Sequence, residues 1–180
     1  MVKAVFLDRD GTINKLIKGR ENPKHVGPWY YSEFEYIDGV EDAIYKMKRL
    51  GYTTHVVTNQ PDVNDGYMTK ETLDVMNQAM KIDLKVDTIN CAMERNTSDY
   101  KPNNGMIEKV INEFKVTRER SWMIGDSWKD IVAGKNSKLK TIYVGGLWDP
   151  PEEYKYIAPD YDAENLLEAS KIIEQNEGGK

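Results

Sequence analysis

The feature of this sequence that most restricts its fold is the regular alternation of short apolar runs with longer amphipathic segments. Each apolar run is rich in β-branched residues and has the length of a buried strand, whereas each amphipathic segment repeats its apolar residues with the period of an α-helix. The strand-like runs are Val2–Leu7, Thr53–Thr58, Val86–Cys91, Trp122–Gly125 and Thr141–Val144. The helical segments are Val40–Leu50, Lys70–Ile82, Gly105–Phe114, Trp128–Gly134 and Ala163–Ile173. This alternation predicts an α/β fold with a doubly wound, Rossmann-like parallel sheet that binds ligands beyond the carboxyl ends of its strands.

One long segment, residues 14–38, interrupts the alternation directly after the first strand-like run. It carries four Lys or Arg residues against one acidic residue between Lys15 and His25, and five aromatic residues between Pro28 and Tyr36. Loops of this length in compact domains are usually functional. Within a single predicted domain of residues 1–180, residues 15–38 are therefore a candidate lid or specificity loop, with the candidate substrate contacts Lys18, Arg20 and Trp29. The alternative is that its aromatic side chains pack the loop onto the core.

Charge and cysteine content restrict the partners and the compartment. The formal net charge is −5 and no dense block of Lys and Arg occurs, which disfavours a nucleic-acid partner and leaves a small phosphorylated metabolite as the expected one. The single cysteine, Cys91, excludes an intrachain disulfide and fits a reducing compartment. No apolar run has the length of a signal-peptide core or a membrane helix, so we expect a cytoplasmic protein without membrane contact.

Polar side chains follow the strand-like runs at the points where each run ends. Asp8 and Asp10 close the first run, and because side chains two apart in an extended segment point the same way, both can face one site while Arg9 points elsewhere. Each of the other polar groups alone is compatible with a turn, a helix cap or a surface position. Because parallel strands end at one edge of the sheet, together they predict a single anion site. The remaining members of this set are Thr58, Asn59, Gln60, Lys101, Asp126 and Asp130.

These residues also carry a resemblance to a known family. In order along the chain they read Asp8-x-Asp10-Gly11-Thr12, Thr58-Asn59-Gln60, Lys101-Pro102-x-x-Gly105-Met106 and Gly125-Asp126-x-x-x-Asp130. This order resembles the four motifs of haloacid dehalogenase (HAD) superfamily phosphatases, over Val2 to about Val144. The full first motif, together with Asp130-Ile131-x-Ala133-Gly134, is similar to the branch that contains heptose bisphosphate and histidinol-phosphate phosphatases.

The resemblance implies a role for each motif residue. Asp8 is the expected nucleophile that forms an aspartyl phosphate, and Asp10 is the expected general acid and then general base. The expected phosphate contacts are Thr58, Asn59 and Lys101. The expected ligands of Mg²⁺ are the side chains of Asp8 and Asp126 and the main-chain carbonyl of Asp10, with Asp130 as a further ligand or as a partner of Lys101. Oxygen ligands of this kind select Mg²⁺ over zinc.

The sequence departs from that branch in two places. Its relatives carry a Cys and His zinc loop before the Lys-Pro motif, whereas residues 91–100 here hold one cysteine and no histidine, so we expect no structural zinc. The relatives have an arginine before the lysine, and Tyr100 stands here as a further candidate substrate contact. The short spacings from Asp8 to Thr58 and from Thr58 to Lys101 leave little room for the separate cap domain that many HAD phosphatases use, so we expect a capless HAD core.

The resemblance predicts a Mg²⁺-dependent phosphomonoester hydrolase for a small sugar phosphate or bisphosphate similar to a heptose phosphate. Two alternatives within the same chemistry are a histidinol-phosphate phosphatase and a polynucleotide 3′-phosphatase, the second of which the acidic charge disfavours. A third alternative of a different class is a non-catalytic phosphate-binding domain. Retention of all six acidic, threonine and lysine positions of the motifs, from Asp8 to Asp130, favours an enzyme.

Overall fold

The structure is a computed structural model that describes residues 1–18, 27–145 and 148–177. One sheet of six parallel strands has the order β3-β2-β1-β4-β5-β6. The strands are β1 (Lys3–Leu7), β2 (Tyr52–Asn59), β3 (Thr88–Ala92), β4 (Trp122–Gly125), β5 (Lys140–Val144) and β6 (Tyr161–Ala163). The helices are α1 (Val40–Arg49), α2 (Lys70–Asp83), α3 (Gly105–Phe114), α4 (Trp128–Asn136) and α5 (Leu166–Glu177). The predicted α/β fold with a doubly wound parallel sheet is confirmed.

The strand order places the predicted site at the centre of the sheet. The chain leaves the central strand β1 toward β2 and β3, and then crosses to β4 on the other side of β1. Leu7, the last residue of β1, pairs with Val56 of β2 and with Ile124 of β4. The carboxyl ends of three motif-bearing strands therefore lie side by side at the switch point, which is where doubly wound sheets bind ligands.

Two apolar layers hold the sheet, because alternate side chains of each strand point to opposite faces. Val5 and Leu7 of β1 pack with the buried faces of α1 and α5, whereas Ala4 and Phe6 pack with those of α3 and α4. All four side chains are fully buried. Burial on both faces is the reason that β1 reads as a continuous apolar run rather than as an alternating one.

The sixth strand is the main element that the sequence pattern did not predict. Tyr161–Ala163 pairs with Ile142–Val144 at the edge of the sheet, and α5 begins at Leu166 rather than at Ala163 as predicted. Its first two side chains are exposed, so the strand leaves no apolar signal. The residue before β6 ties the strand to β5, because the carboxylate of Asp160 accepts hydrogen bonds from the main-chain nitrogen and hydroxyl of Thr141 at 2.8 and 3.0 Å.

The described part of the long loop is tied back onto the domain. The main-chain nitrogen of Lys15 donates to Glu35 at 2.8 Å, and that of Ile37 donates to Ile13 at 2.9 Å. Phe34 and Tyr36 meet edge to face at 5.4 Å and pack against the core. At these two residues, the aromatic side chains pack the loop onto the core, as the alternative interpretation of the loop predicted. Lys18 is exposed, and the predicted contact Arg20 lies outside the described residues.

Among the helices of the described ranges, none combines the length and the apolarity that crossing a bilayer requires.

Candidate active site

A buried lysine links two carboxylates at the carboxyl end of the sheet. Asp8 follows β1, and its main-chain nitrogen extends the β1–β4 ladder by donating to Ile124 at 2.9 Å. The Nζ of Lys101 donates to Oδ1 of Asp8 at 2.6 Å and to Oδ1 of Asp130 at 2.5 Å. Burial opposes the positive charge, but Asp130 and Asp8 together raise the pKa of Lys101 above its usual value. The ammonium therefore stays charged between two residues of different motifs.

Asp130 is positioned by the start of α4. Its Oδ2 accepts a hydrogen bond from the main-chain nitrogen of Ser127 at 3.0 Å, while the hydroxyl of Ser127 accepts one from the nitrogen of Lys129 at 3.2 Å. This reciprocal pair is a capping box. A Cβ at Gly125 would lie 2.3 Å from Cγ of Asp130, so only glycine allows the carboxylate to cross the end of β4. Of the two predicted roles of Asp130, the structure shows the contact with Lys101.

Three carboxylates form the part of the site that could hold a metal ion. Asp8, Asp126 and Asp130 each offer an oxygen within 4.8 Å of the others. Burial and the charge of Asp130 raise the pKa of Asp8 to about 7, and burial and the charge of Asp8 raise the pKa of Asp126 to about 8. Both shifts express the repulsion of like charges in a poorly solvated place. A hard divalent cation relieves this repulsion, and an all-oxygen donor set suits it.

The carboxylate of Asp10 is not part of this cluster and is bound by the guanidinium of Arg9. The Nε of Arg9 donates to Oδ1 of Asp10 and its Nη2 donates to Oδ2, both at 3.0 Å. Nη2 also donates to Oε1 of Gln60 at 2.8 Å, and the whole guanidinium is inaccessible to solvent. Arg9 therefore does not point away from the site, as the alternation along a strand predicted, but turns back and orients its neighbour. The reason is that β1 ends at Leu7 and the strand geometry ends with it.

The end of β2 supplies two polar links. The Nε2 of Gln60 donates to Oδ2 of Asp10 at 2.8 Å and to the hydroxyl of Thr58 at 2.9 Å. The amide of Asn59 pairs with the main chain of Lys101, donating to its oxygen and accepting from its nitrogen, both at 2.9 Å. The observed contacts of Asn59 thus fix the segment that carries the lysine, and a phosphate contact through Asn59 remains a prediction.

Most of these side chains line a cavity of about 200 Å³, whereas Arg9 and Asp126 are not part of its wall. The predicted site residues on its wall are Asp8, Asp10, Thr58, Asn59, Tyr100, Lys101 and Asp130. Of the candidate substrate contacts in the long loop, Trp29 contacts the wall residue Asp62 and is not itself part of the wall. Its indole nitrogen donates to Oδ2 of Asp62 at 2.7 Å, and its ring stacks on Tyr67 with 4.6 Å between the ring centres. Lys18 is not part of the cavity wall.

Arg9, Gly27, Asp62 and Lys129 contribute to the site but were not assigned to it from the sequence. Lys129 lies between the two carboxylates of the fourth motif, so its position was a signal. Gly27 and Asp62 carried no such signal, because they reach the cavity only through the packing of two loops.

Ion pairs hold the segment that precedes Lys101. The guanidinium of Arg95 donates to both carboxylate oxygens of Asp65, at 2.7 and 2.6 Å, and thereby joins the loop after β3 to the loop after β2. Lys109 pairs with Asp99 of the same segment. Cys91 lies within β3, where its sulfur accepts a hydrogen bond from Asn77 at 3.5 Å. In this chain, charged side chains give the segment its shape.

The fold and the site together define a class of protein. A carboxylate at the end of the central strand, a buried lysine beside it and a second pair of carboxylates at the next strand are the arrangement of a Rossmann-like hydrolase of phosphate esters. Residues 6–144 match the family model of haloacid dehalogenase-like hydrolases. The chain belongs to this family, and the prediction that it is a HAD-type phosphatase is confirmed.

Individual relatives agree with this family. The chain is 34% identical over 147 residues to a D-glycero-beta-D-manno-heptose-1,7-bisphosphate 7-phosphatase of Helicobacter pylori, an alignment that covers 77% of this chain and 80% of the relative. It is 28% identical to the enzyme of the same name from Haemophilus influenzae, with 97% and 98% covered. Among solved structures, it is similar to a D,D-heptose 1,7-bisphosphate phosphatase of B. bronchiseptica complexed with magnesium and phosphate, with a TM-score of 0.79, 21% identity and coverage of 97% and 99%.

Proposed function

We propose that this protein is a Mg²⁺-dependent phosphatase that removes one phosphate from a sugar bisphosphate of the heptose 1,7-bisphosphate type, through an aspartyl phosphate on Asp8. The observation that carries the proposal is the contact of Asp8 with Lys101 inside a buried cluster of three carboxylates. The names of the relatives from Helicobacter pylori and Haemophilus influenzae support the substrate class. The net charge of −5 supports a small metabolite as the partner, and the single cysteine fits the reducing cytoplasm.

The metal site fits this chemistry in its donor set. Asp8, Asp126 and Asp130 would surround Mg²⁺ with carboxylate oxygens, and the expected main-chain contact of Asp10 adds another oxygen. A bound Mg²⁺ supplies positive charge between the attacking carboxylate and the phosphate. Without such charge, each pair of like charges 4 Å apart costs about 4 kcal/mol at an effective dielectric constant of 20.

The residues of the chain perform two displacements at phosphorus. In the first, a carboxylate oxygen of Asp8 forms a bond to phosphorus while the bond from phosphorus to the sugar oxygen breaks, and Asp10 gives its proton to that oxygen. In the second, Asp10 takes a proton from water as the water oxygen bonds to phosphorus, and the bond to Asp8 breaks to release inorganic phosphate. Two steps divide a barrier that is very high for phosphate monoesters in water.

Three side chains hold the reacting groups during both displacements. Lys101 uses two of its three N–H donors on Asp8 and Asp130, which leaves the third for a phosphoryl oxygen. Thr58 presents a buried hydroxyl on the cavity wall for another phosphoryl oxygen. Arg9 holds Asp10 at a fixed angle and keeps the proton donor on the wall of the cavity.

The covalent step gives the decisive test. We expect Asp8→Asn to lower kcat for p-nitrophenyl phosphate by several orders of magnitude, and the wild type to gain the mass of a phosphoryl group when a turnover is quenched in acid. The matched control is Asp42→Asn, an exposed carboxylate of α1 that lies outside the site. Near wild-type turnover in Asp8→Asn would refute the nucleophile assignment.

The substrate class needs its own measurement. Heptose 1,7-bisphosphate, heptose 7-phosphate, histidinol phosphate and a 3′-phosphorylated oligonucleotide should be compared by kcat/KM at one Mg²⁺ concentration. We expect the sugar bisphosphate to be preferred. A preference for histidinol phosphate or for the oligonucleotide would retain the mechanism and replace the substrate.

A further inference from the structure

The cavity contains two lysines with different surroundings. Lys101 is buried and has two carboxylate partners. Lys129 lines the same cavity, is half-buried and, within residues 1–18, 27–145 and 148–177, forms no ion pair. The charge of Lys101 is thus balanced before any substrate enters, whereas that of Lys129 is not. Among the described residues that line the cavity, Lys129 offers the positive charge that a second anion could meet.

The place of Lys129 in the fold is unfavourable for a cation. It is the second residue of α4, and its main-chain nitrogen is engaged by the capping hydroxyl of Ser127. A positive charge in the first turn of a helix opposes the helix dipole and destabilises the helix. The ammonium lies 5.8 Å from the centre of the ring of Trp128, at the outer range of a cation–π contact. Helix stability therefore gives no reason for a lysine here.

The opposite flank of the cavity carries carboxylates that are held by their neighbours. Asp10 and Asp62 line the wall on the side of β2, and both carboxylates are anchored, one by Arg9 and the other by the indole of Trp29. Lys129 lies on the side of β4, because α4 follows that strand. Asp8 follows β1, the strand between them. Carboxylates anchored in this way accept hydrogen bonds from hydroxyl groups of a substrate, whereas an anionic group is attracted to Lys129.

We infer that Lys129 binds a second anionic group, carried by the leaving group of the substrate, and thereby selects phosphomonoesters whose alcohol bears a phosphate or a carboxylate. The inference rests on the proposed function in one respect, that the cavity is the phosphomonoester site. It makes Lys129 a specificity-determining residue. The chemical step at phosphorus remains with Asp8 and Asp10.

The test measures binding and needs no turnover. In an Asp8→Asn background with Mg²⁺, isothermal titration calorimetry compares fructose 1,6-bisphosphate with fructose 6-phosphate, and 3-phosphoglycerate with glycerol 3-phosphate. Each pair differs in the second anion. The same titrations are made after adding Lys129→Gln, Lys129→Arg or, as the matched control, Lys138→Gln, an exposed lysine just beyond the end of α4.

In at least one pair, we expect Asp8→Asn to bind the ligand with the second anion about tenfold or more tightly than the ligand without it. Lys129→Gln should reduce this preference to less than about threefold, whereas Lys129→Arg and Lys138→Gln should retain it. A tenfold preference corresponds to about 1.4 kcal/mol. Absence of a preference in the background protein, or its survival in Lys129→Gln, would overturn the inference.

A structural role of Lys129 predicts a different pattern. If the side chain served mainly to cover Trp128, Lys129→Gln would lower the Tm of the ligand-free protein by several degrees and leave the preference for the second anion intact. Our proposal predicts an unchanged or higher Tm together with the lost preference. Failure of the proposed function is recognised separately, by normal turnover of p-nitrophenyl phosphate in Asp8→Asn.

Discussion

The buried pair of Arg9 and Asp10 offers a sharp test of how this site is held together. Replacing Arg9 by Met keeps the length and most of the apolar stem of the side chain but removes the guanidinium. In the structure that group donates to both oxygens of Asp10 and to Gln60, and its Nη1 lies 3.9 Å from the sulfur of Met76. The variant removes the ionic partner of Asp10, which keeps only the hydrogen bond from Nε2 of Gln60, and it leaves Oε1 of Gln60 without the donor that it has in the wild type.

The expected loss follows from the burial of the two partners. Breaking a buried ion pair by removing one partner destabilises proteins by roughly 3–5 kcal/mol. The side chain of Asp10 keeps 17% of its surface exposed and so retains some hydration, which favours the lower end of that range. We expect Arg9→Met to lower the free energy of unfolding by about 3 kcal/mol. In a domain of this size, that corresponds to a fall in Tm of roughly 6–12 °C.

Urea denaturation of a double-mutant cycle measures this quantity. Arg9→Met, Asp10→Asn and the double variant should show that the second substitution costs about 2 kcal/mol less in the presence of the first, since the stranded charge is then absent. Arg49→Met, which removes an exposed guanidinium from α1, is the matched control and should cost less than about 0.5 kcal/mol. A loss below about 1 kcal/mol in Arg9→Met, or additive effects in the cycle, would refute this account.

Three further predictions concern pH, metal and the cavity wall. Burial lowers the pKa of His55 from 6.5 to about 4. Between these two pKa values the unfolded chain binds a proton at His55 that the folded chain does not, so the free energy of unfolding decreases as the pH is lowered. Between pH 7 and pH 5 the wild type should lose about 2 kcal/mol more than His55→Gln in urea denaturation, and parallel losses would contradict the assignment. Mg²⁺ at about 100 times its Kd should stabilise the protein by about 2.7 kcal/mol, without added zinc. Calorimetry should find a smaller stabilisation in Asp126→Asn at the same Mg²⁺ concentration. Trp29→Phe, which removes the hydrogen bond to Asp62, should raise KM severalfold with little change in kcat. An unchanged KM would show that Trp29 does not support the cavity wall through Asp62.

The local pattern of this sequence specifies most of the sheet and the edge at which the site forms. The run Val2–Leu7 has to be a central strand, because only burial on both faces suits a segment without alternation. The glycines and polar residues that follow such runs then lie at one edge, since parallel strands end together. Asp8, Thr58, Lys101 and Asp126 could therefore be assigned to one site before any contact was known. Family membership follows from the same residues.

Other features were decided only when distant parts of the chain met. Period-2 alternation ends with β1, so the direction of Arg9 depended on Gln60, a residue 51 positions further along the chain, and on the buried space beside Met76. β6 has no apolar pattern of its own and exists because β5 offers it an open edge. The sequence does not show either that Lys101 is paired with two carboxylates, whereas Lys129 forms no ion pair with the residues that the structure describes. Whether an ammonium is balanced depends on the carboxylates within a few ångströms in space, and those come from strands that the sequence separates by dozens of residues.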